Sequence, residues 1–130
     1  MEVRVVQFRL KTSKRTEQIF NSIYQKEYLQ PFALSKIAIA LAIRDGFKAE
    51  TIEFLDDSDG LDLNRQTITG ERDLLFKSLI EMNEGTYLDD EVYFPEYVKK
   101  YIDYGAILLE QEMKYSKDVY RHLVNLDKGI

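Results

Sequence analysis

The pattern of apolar and polar positions in the first 46 residues predicts one strand followed by two helices. Apolar and polar residues alternate from Val3 to Leu10, as expected for a β-strand with one buried face. The short hydroxyl side chains of Thr12 and Ser13 can then accept hydrogen bonds from the first turn of a helix. That helix should extend from Ser13 to about Lys26, with an apolar stripe formed by Ile19, Phe20, Ile23 and Tyr24. This order over residues 3–46 is typical of a ribbon-helix-helix DNA-binding unit.

The second predicted helix, residues 31–46, is apolar on nearly every side. Pro31 suits its first turn, where no backbone N–H is needed, and Gly46 suits its end. Only Ser35 and Lys36 interrupt the apolar run before the last turn. A helix this apolar must be buried on more than one side, either in the centre of the core or at a subunit interface.

Residues 47–69 change from helical to alternating spacing, which predicts short strands. Apolar and polar residues alternate at residues 51–54 and 61–64, on both sides of the acidic turn sequence DDSDG. We therefore expect a small β-hairpin, continued as extended chain through residues 67–69.

Residues 70–130 have the spacing of a helical body. A third helix should follow Gly70 and end at Gly85, and a long helix should extend from Phe94 to Met113. Gly105 costs about 1 kcal/mol in a helix interior, which suggests that another backbone approaches there. The third helix should pack inward through Leu74, Leu75, Leu79 and Ile80, and a separate last helix through Val119, Tyr120, Leu123 and Leu126. The expected fold of residues 1–130 is one mainly α domain, with a short N-terminal strand, a small hairpin, and a ribbon-helix-helix-like core extended by C-terminal helices.

Composition narrows the class of protein. The 130 residues are 45% apolar and 32% charged, which is ordinary for a soluble globular domain. No apolar run approaches the roughly 20 residues of a membrane span, and the N-terminus lacks the apolar segment of a signal peptide, so we expect a cytoplasmic protein without membrane contact. The absence of cysteine and the single histidine, His122, argue against disulfides, thiol chemistry and zinc. We predict no catalytic residues, no metal and no cofactor.

Charge is unevenly distributed along the chain. Residues 1–48 hold nine basic and four acidic side chains (+5), whereas residues 49–130 hold nine basic and nineteen acidic ones (−10). A basic segment before an acidic body suits contact with an anionic polymer, although a solvated strand edge would look the same. Arg65 could instead bond to local carbonyls or pair with Asp62 or Glu71, and Lys36 could extend from a buried helix to the surface. The candidate phosphate-contacting residues are Arg9, Lys11, Lys14, Arg15, Lys36 and Arg65.

One run of residues resembles a known family. The segment GLDLNRQTITGERDLLFKSL, residues 60–79, is similar to the most characteristic stretch of the DndE family of DNA sulfur modification proteins. The matching positions are Asn64, Arg65, Thr67, Ile68, Gly70 and Glu71. The stretch from Lys36 to Leu41 and the glycine-containing helix at Gly105 also resemble the family, and the similarity covers about residues 8–112.

This resemblance implies a compact, mainly helical accessory protein of bacterial DNA phosphorothioation systems. Such a protein would form homo-oligomers, contact the backbone of duplex or nicked DNA, and work with the other phosphorothioation proteins rather than transfer sulfur itself. The chain departs from the family pattern in three places. Residues 26–29 replace a connection that usually contains glycine, Lys36 stands where arginine is usual, and Tyr101 stands near a usual histidine.

Three alternatives remain open from the sequence. A ribbon-helix-helix repressor or antitoxin would read bases with Arg4, Gln7 and Arg9 on its strand. A protein–protein scaffold would use the acidic C-terminal part and the apolar second helix, without affinity for DNA. The many carboxylates also leave a metal-dependent nickase as an alternative.

Overall fold

Helices form most of the chain, together with one two-stranded sheet. The computed structural model describes residues 9–51 and 57–129, and for residue 51 and residues 116–129 it describes the backbone only. The main elements are β1 (Arg9–Lys11), α1 (Lys14–Glu27), α2 (Pro31–Arg44), β2 (Asp62–Asn64), α3 (Arg65–Ile68), α4 (Asp73–Glu84), α5 (Asp90–Val92) and α6 (Lys99–Gly129). Short 3₁₀ turns occupy Ala49–Thr51 and Gly70–Arg72, and a π-helical segment occupies Tyr93–Val98. The mainly helical architecture is as predicted.

The sheet joins two distant parts of the chain. β1 and β2 are antiparallel, with Leu10 opposite Leu63, and both leucines are buried. The backbone N–H of Thr12 donates to the carbonyl of Leu61 over 2.9 Å and continues the pairing beyond the strands. The strand predicted at residues 61–64 is therefore present, and its partner among the described residues is the N-terminal strand. The expected strand residues 3–8 and 52–54 lie outside the described residues. The ribbon-helix-helix description is not confirmed, since β1 pairs within its own chain.

The connection between α1 and α2 contains a strained residue. Ser13 caps α1, its Oγ accepting the N–H of Thr16 over 3.1 Å. At the other end Tyr28 adopts the left-handed conformation (φ 60°), which costs a non-glycine residue roughly 1 kcal/mol. The Tyr28 side chain is 80% exposed. A tyrosine thus occupies a backbone conformation that glycine adopts freely.

The core is centred on the contact between α2 and α6. A Cβ atom at Gly105 would lie 1.8 Å from the carbonyl oxygen of Ala38, so only glycine permits this approach of the two backbones. The close approach predicted from Gly105 is confirmed. The largest fully buried side chains around this contact include Phe20, Leu34, Ile39, Tyr93, Phe94, Tyr101 and Ile102. In the part of the chain that the structure describes, the opposite side of α2 is only partly covered, because Phe32 and Ile37 remain 43% and 40% exposed.

One continuous helical run replaces the two C-terminal helices that the sequence suggested. α5, the π-helical segment and α6 follow one another without a loop from Asp90 to Gly129. Pro95 lies inside the π-helical segment, where its missing N–H and its ring disfavour regular α-helical bonding. No glycine or proline separates Met113 from Val119, so the helix has no cause to end there.

Two further local predictions were wrong. Residues 67–69, expected to be extended, begin in α3, because the Oδ1 of Asn64 accepts the N–H of Gln66 over 2.8 Å and caps a helical turn. In α4, Ile80 is buried as predicted, but the apolar residues expected beside it point outward. Their exposed fractions are 77% for Leu74, 51% for Leu75 and 38% for Leu79.

Candidate nucleic-acid interface

Four of the six candidate cations lie together at the start of the described chain. Arg9 and Lys11 belong to β1, and Lys14 and Arg15 form the first turn of α1. All four side chains are exposed. We call these four residues the basic front.

Carboxylates from elsewhere in the fold compensate most of the basic front. Lys11 alone of the four has no ion-pair partner among the described residues, although it stands opposite Asp62 in the sheet. The other pairs are Arg9 with Asp62 (3.2 Å), Lys14 with Glu17 (2.6 Å) and Arg15 with Glu110 (2.8 Å). Exposed ion pairs of this kind contribute only about 0–1 kcal/mol, so a phosphate can replace the carboxylate. The basic front is therefore available, but it is not strongly positive.

The N-terminus of α1 already holds an anionic group. The backbone N–H of Lys14 donates to Oδ2 of Asp57 over 2.7 Å, and this bond lowers the pKa of the Asp57 carboxyl. The hydrogen bond to Glu17, with its charge, raises the pKa of the Lys14 ammonium. Two basic residues in the first turn interact unfavourably with the helix dipole, and carboxylates of the same chain offset this effect. A bound phosphate is therefore not required to stabilise the start of α1.

A buried network anchors the basic front to α6. Asp103 is fully buried and accepts hydrogen bonds from the Ser13 N–H (2.9 Å), the Thr16 hydroxyl (2.6 Å) and the Lys99 ammonium (2.6 Å). Lys99 also donates to the carbonyl of Asp57 over 3.0 Å. The loop before α1, the first turn of α1 and the Asp57 loop are therefore held in one arrangement.

Lys36 is on a different element from the basic front. It projects from α2, with its ammonium 5.9 Å from the centre of the Phe32 ring, a weak cation–π contact on the outer side of the helix. This position agrees with the alternative that Lys36 only extends from a buried helix to the surface.

Arg65 occupies a compact internal cluster. Its guanidinium donates twice to Asp73, from Nε to Oδ1 (3.0 Å) and from Nη2 to Oδ2 (2.5 Å), and it lies 5.0 Å from the centre of the Tyr93 ring. Asp90 contributes a longer contact of 3.4 Å, and the Thr69 hydroxyl also donates to Asp73. The Arg65 side chain is only 12% exposed. A planar guanidinium satisfied in this bidentate way has little capacity left for a phosphate.

The pKa shifts in this cluster follow from its contacts. Burial raises the pKa of the Asp73 carboxyl, but hydrogen bonds from Arg65 and Thr69 outweigh burial and leave that pKa lowered. The same bond to Asp73 raises the pKa of Arg65. Burial raises the pKa of the Tyr93 hydroxyl well above its usual range. The cluster therefore keeps Arg65 and Asp73 charged at neutral pH and holds α3, α4 and the π-helical segment together.

An open cavity of about 380 Å³ lies between α1 and α6, beside Arg15. Its lining combines apolar side chains with charges of both signs: Ile19, Ile23, Arg15, Lys26, Glu110 and Lys114. The mixed charges do not form a strongly charged site, and Lys26 lines the cavity from the end of α1 opposite the basic front.

The side chains of the described residues supply no group of three or more metal-ligating residues. No helix among the described residues is sufficiently long and apolar to cross a membrane. His122 lies in the part of α6 for which only the backbone is described.

Comparison with known proteins identifies the family of this chain. The family model for the DNA sulphur modification protein DndE matches residues 9–117. The chain belongs to the DndE family. No curated protein sequence matches it significantly.

Solved DndE structures share the fold. The crystal structure of DndE from Escherichia coli B7A, a protein involved in DNA phosphorothioation modification, superposes with a TM-score of 0.65 at 17% identity, covering 82% of this chain and 99% of the other. A DndE mutant with glycines changed to lysine gives 0.62 at 18% identity, covering 81% and 99%.

The positions that resemble DndE have mainly structural roles in this chain. Asn64 caps α3, Arg65 forms the cluster, and Gly70 has a positive φ of 46° that suits glycine. Thr67 and Glu71 are exposed, and Ile68 is buried. The role of Arg65 in DNA contact stays a prediction, and its geometry favours the alternative of a local pair, although with Asp73 rather than Asp62 or Glu71.

Sequence reasoning missed most of the carboxylates that pair with the candidate cations. Glu17 stands three residues after Lys14, a helical spacing that could have identified the pair. Asp57, Glu110 and Asp73 lie far from their partners along the chain or in a different element, so no local spacing indicated them.

Proposed function

We propose that this DndE-family chain is a non-catalytic accessory subunit of a bacterial DNA phosphorothioation system, and that it contacts the backbone of duplex or nicked DNA through the basic front. The observation that carries this proposal is the grouping of Arg9, Lys11, Lys14 and Arg15 on one strand end and one helical turn. Lysine and arginine neutralise phosphates and release condensed counterions, which requires no base-specific contact.

The ion pairs of the basic front determine how strong and how salt-dependent DNA binding should be. Because partly exposed carboxylates accompany three of the four cations, binding must exchange weak ion pairs for phosphate contacts. We therefore expect modest affinity, steep loss of binding with salt, and no sequence preference. A preference for one operator sequence would instead support a repressor, whose proposed reading residues Arg4 and Gln7 lie outside the described residues.

Fluorescence anisotropy with intact and nicked duplexes, repeated across a salt series, tests the contact. Lys11→Gln and Arg15→Gln should each weaken binding and reduce the slope of log affinity against log salt by about 0.9, the value for one lost phosphate contact. Lys26→Gln is the matched control, because it removes one exposed charge from the opposite end of α1. Equal effects from all three variants would show that only net charge matters and would overturn the assignment.

A complementary variant should increase affinity. Asp62→Asn removes the carboxylate that pairs with Arg9 and faces Lys11 across the sheet. Binding should become several-fold tighter if the basic front contacts DNA. An unchanged affinity would contradict that site, even if the protein bound DNA elsewhere.

A protein–protein scaffold within the same system is the second candidate function. It is favoured by the compensation of the basic front and by the outward apolar residues of α2 and α4. Absence of DNA binding at low salt, with partner subunits of the system still bound, would decide for the scaffold.

A further inference from the structure

The connection between β1 and α1 is buried although its residues are polar. Thr12 and Ser13 separate Lys11 at the end of the strand from Lys14 at the start of the helix, and both are 0% exposed. We call these two residues the joint. Connecting segments ordinarily lie at the surface, where water satisfies their backbone groups. A buried polar joint instead needs hydrogen-bond partners from the protein.

The segment before β2 holds the joint from one side. The carbonyl of Thr12 accepts the N–H of Gly60 over 2.9 Å, and the Thr12 hydroxyl oxygen accepts the N–H of Leu61 over 2.9 Å. A Cβ atom at Gly60 would lie 2.1 Å from the carbonyl oxygen of Ser13, so the two backbones are in close contact. The strand end of the joint is therefore fixed by the chain that pairs with β1.

Asp103 of α6 holds the joint from the other side. Its Oδ1 accepts both the N–H of Ser13 (2.9 Å) and the hydroxyl of Thr16 (2.6 Å). Its Oδ2 accepts the ammonium of Lys99 over 2.6 Å, which balances the buried negative charge. One carboxylate oxygen thus connects the last residue of the joint to the first turn of α1.

This arrangement fixes the two halves of the basic front relative to each other. Arg9 and Lys11 lie on β1, before the joint, and Lys14 and Arg15 lie in the first turn of α1, after it. The ends of helices ordinarily fray, and a loose joint would let the two halves move independently. Ordering them when DNA binds would then cost free energy, which a fixed joint avoids.

We propose that Asp103 is a positioning residue for DNA contact, which holds both halves of the basic front ready to meet the phosphate backbone at the same time. Asp103 is fully buried, so its own carboxylate does not contact DNA. This inference rests on the proposed function, since it concerns how the same surface is held. It gives α6 an indirect part in DNA binding through the joint.

The pair Thr16→Val and Thr16→Ser tests the proposal in the anisotropy titration. Valine keeps the branched shape of threonine but cannot donate to Asp103, whereas serine keeps the hydroxyl. Thr16→Val should weaken DNA binding roughly two- to ten-fold, the cost of ordering one long side chain on association. Thr16→Ser should stay near the wild-type affinity. The salt slope should be unchanged in both variants, because all four cations of the basic front remain.

Asp103→Asn should weaken binding at least as much, again with an unchanged salt slope, when it is measured where circular dichroism shows it to be folded. Tyr101→Phe is the matched control on the same helix. It removes buried hydrogen bonds to Glu84 (2.5 Å) and to the carbonyl of Phe47 (3.3 Å), neither of which belongs to the network of Asp103. This control should lower stability and leave DNA affinity unchanged.

Amide hydrogen exchange without DNA gives an independent readout of the joint. The N–H groups of Ser13 and Lys14 should exchange faster in Thr16→Val and Asp103→Asn than in the wild type or in Tyr101→Phe. Unchanged exchange at these two amides would show that Asp103 does not hold the joint, and would overturn the proposal.

The DNA titrations separate failure of this inference from failure of the proposed function. If the wild type binds DNA and Lys11→Gln weakens it, but Thr16→Val and Asp103→Asn do not, the positioning role is wrong and the DNA contact stands. An equal loss in Tyr101→Phe would attribute the effect to general destabilisation and also overturn the role. If Lys11→Gln and Arg15→Gln leave binding unchanged, the proposed contact fails, and this inference fails with it.

Discussion

The Arg65 cluster and the basic front place the same kinds of charges in opposite surroundings. Arg65 is 12% exposed, lies against an aromatic ring and is held by both oxygens of one carboxylate. Arg9 and Arg15 are 63% and 56% exposed, and each makes one contact with a partly exposed carboxylate. The first arrangement fixes the fold, whereas the second can exchange its partners.

This difference shows why a charge count along the sequence is a poor guide to a binding surface. The +5 of residues 1–48 is reduced in the fold by acidic residues from residues 49–130, including Asp57, Asp62 and Glu110. Burial also determines how firmly a charge is held. Removing one partner of a buried pair strongly destabilises the protein, whereas removing one partner of an exposed pair does not.

Replacing the fully buried Asp103 should give the largest change in stability. Asp103→Asn keeps an oxygen for the Ser13 N–H but removes the negative charge beside Lys99. We expect a loss of about 3 kcal/mol in the free energy of unfolding, because a lysine that is 11% exposed would lose its carboxylate. Urea denaturation followed by circular dichroism measures this loss. A loss below about 1 kcal/mol, the range of surface pairs, would place Asp103 and Lys99 with the exposed pairs instead.

Arg65→Lys should have the next largest effect. The positive charge remains, but the bidentate bond to Asp73 and the stacking on Tyr93 are lost, so we expect about 2 kcal/mol of destabilisation. Urea denaturation gives the stability, and the anisotropy titration gives the DNA affinity of the same variant. A structural Arg65 predicts reduced stability with unchanged affinity. Reduced affinity at full stability would restore Arg65 as a phosphate contact.

Local patterns predicted those parts of the fold that local physics determines. Ser13 as a cap, Pro31 as a helix start and Gly85 as a helix end depend on neighbouring backbone groups, and each is found where expected. Gly105 indicated a close backbone approach because glycine is otherwise unfavourable inside a helix. The pairing of β1 with β2 was not predictable in this way, since it joins residues 53 positions apart such as Arg9 and Asp62.

The site was harder to predict than the fold because its electrostatics are non-local. The cations of the basic front were proposed from sequence as candidates, but the nearby carboxylates of Asp57 and Glu110 were not linked to them. The outward orientation of Leu74 and Leu75 was missed for another reason. The hydrophobic pattern identifies the side of a helix that needs cover, and does not say whether the same chain or another one covers it.

Acid should weaken the Arg65 cluster through protonation of the Asp73 carboxyl. The pKa of Asp73 is lower in the folded protein than its ordinary value of 3.8, so below that value the unfolded chain binds more protons. The stabilisation is complete above about pH 4 and is lost as pH falls through the lowered pKa. Urea midpoints from pH 6 to 2.5 should therefore fall more steeply for the wild type than for Asp73→Asn. Parallel curves would show that Arg65 does not stabilise the ionised carboxylate.

The exposed pairs of the basic front should give the smallest change in stability. Arg9→Gln and Arg15→Gln each remove a pair that is largely solvated, so the free energy of unfolding should change by less than about 0.5 kcal/mol. Combining them should add their effects, because the two pairs share no partner. Thermal and urea unfolding measure stability, and the double variant should reduce the salt slope of DNA binding by about 1.8 if both arginines contact phosphates. A stability loss above about 2 kcal/mol would mean that these arginines hold the fold together as Arg65 does. In that case their contribution to DNA binding could no longer be separated from their contribution to structure.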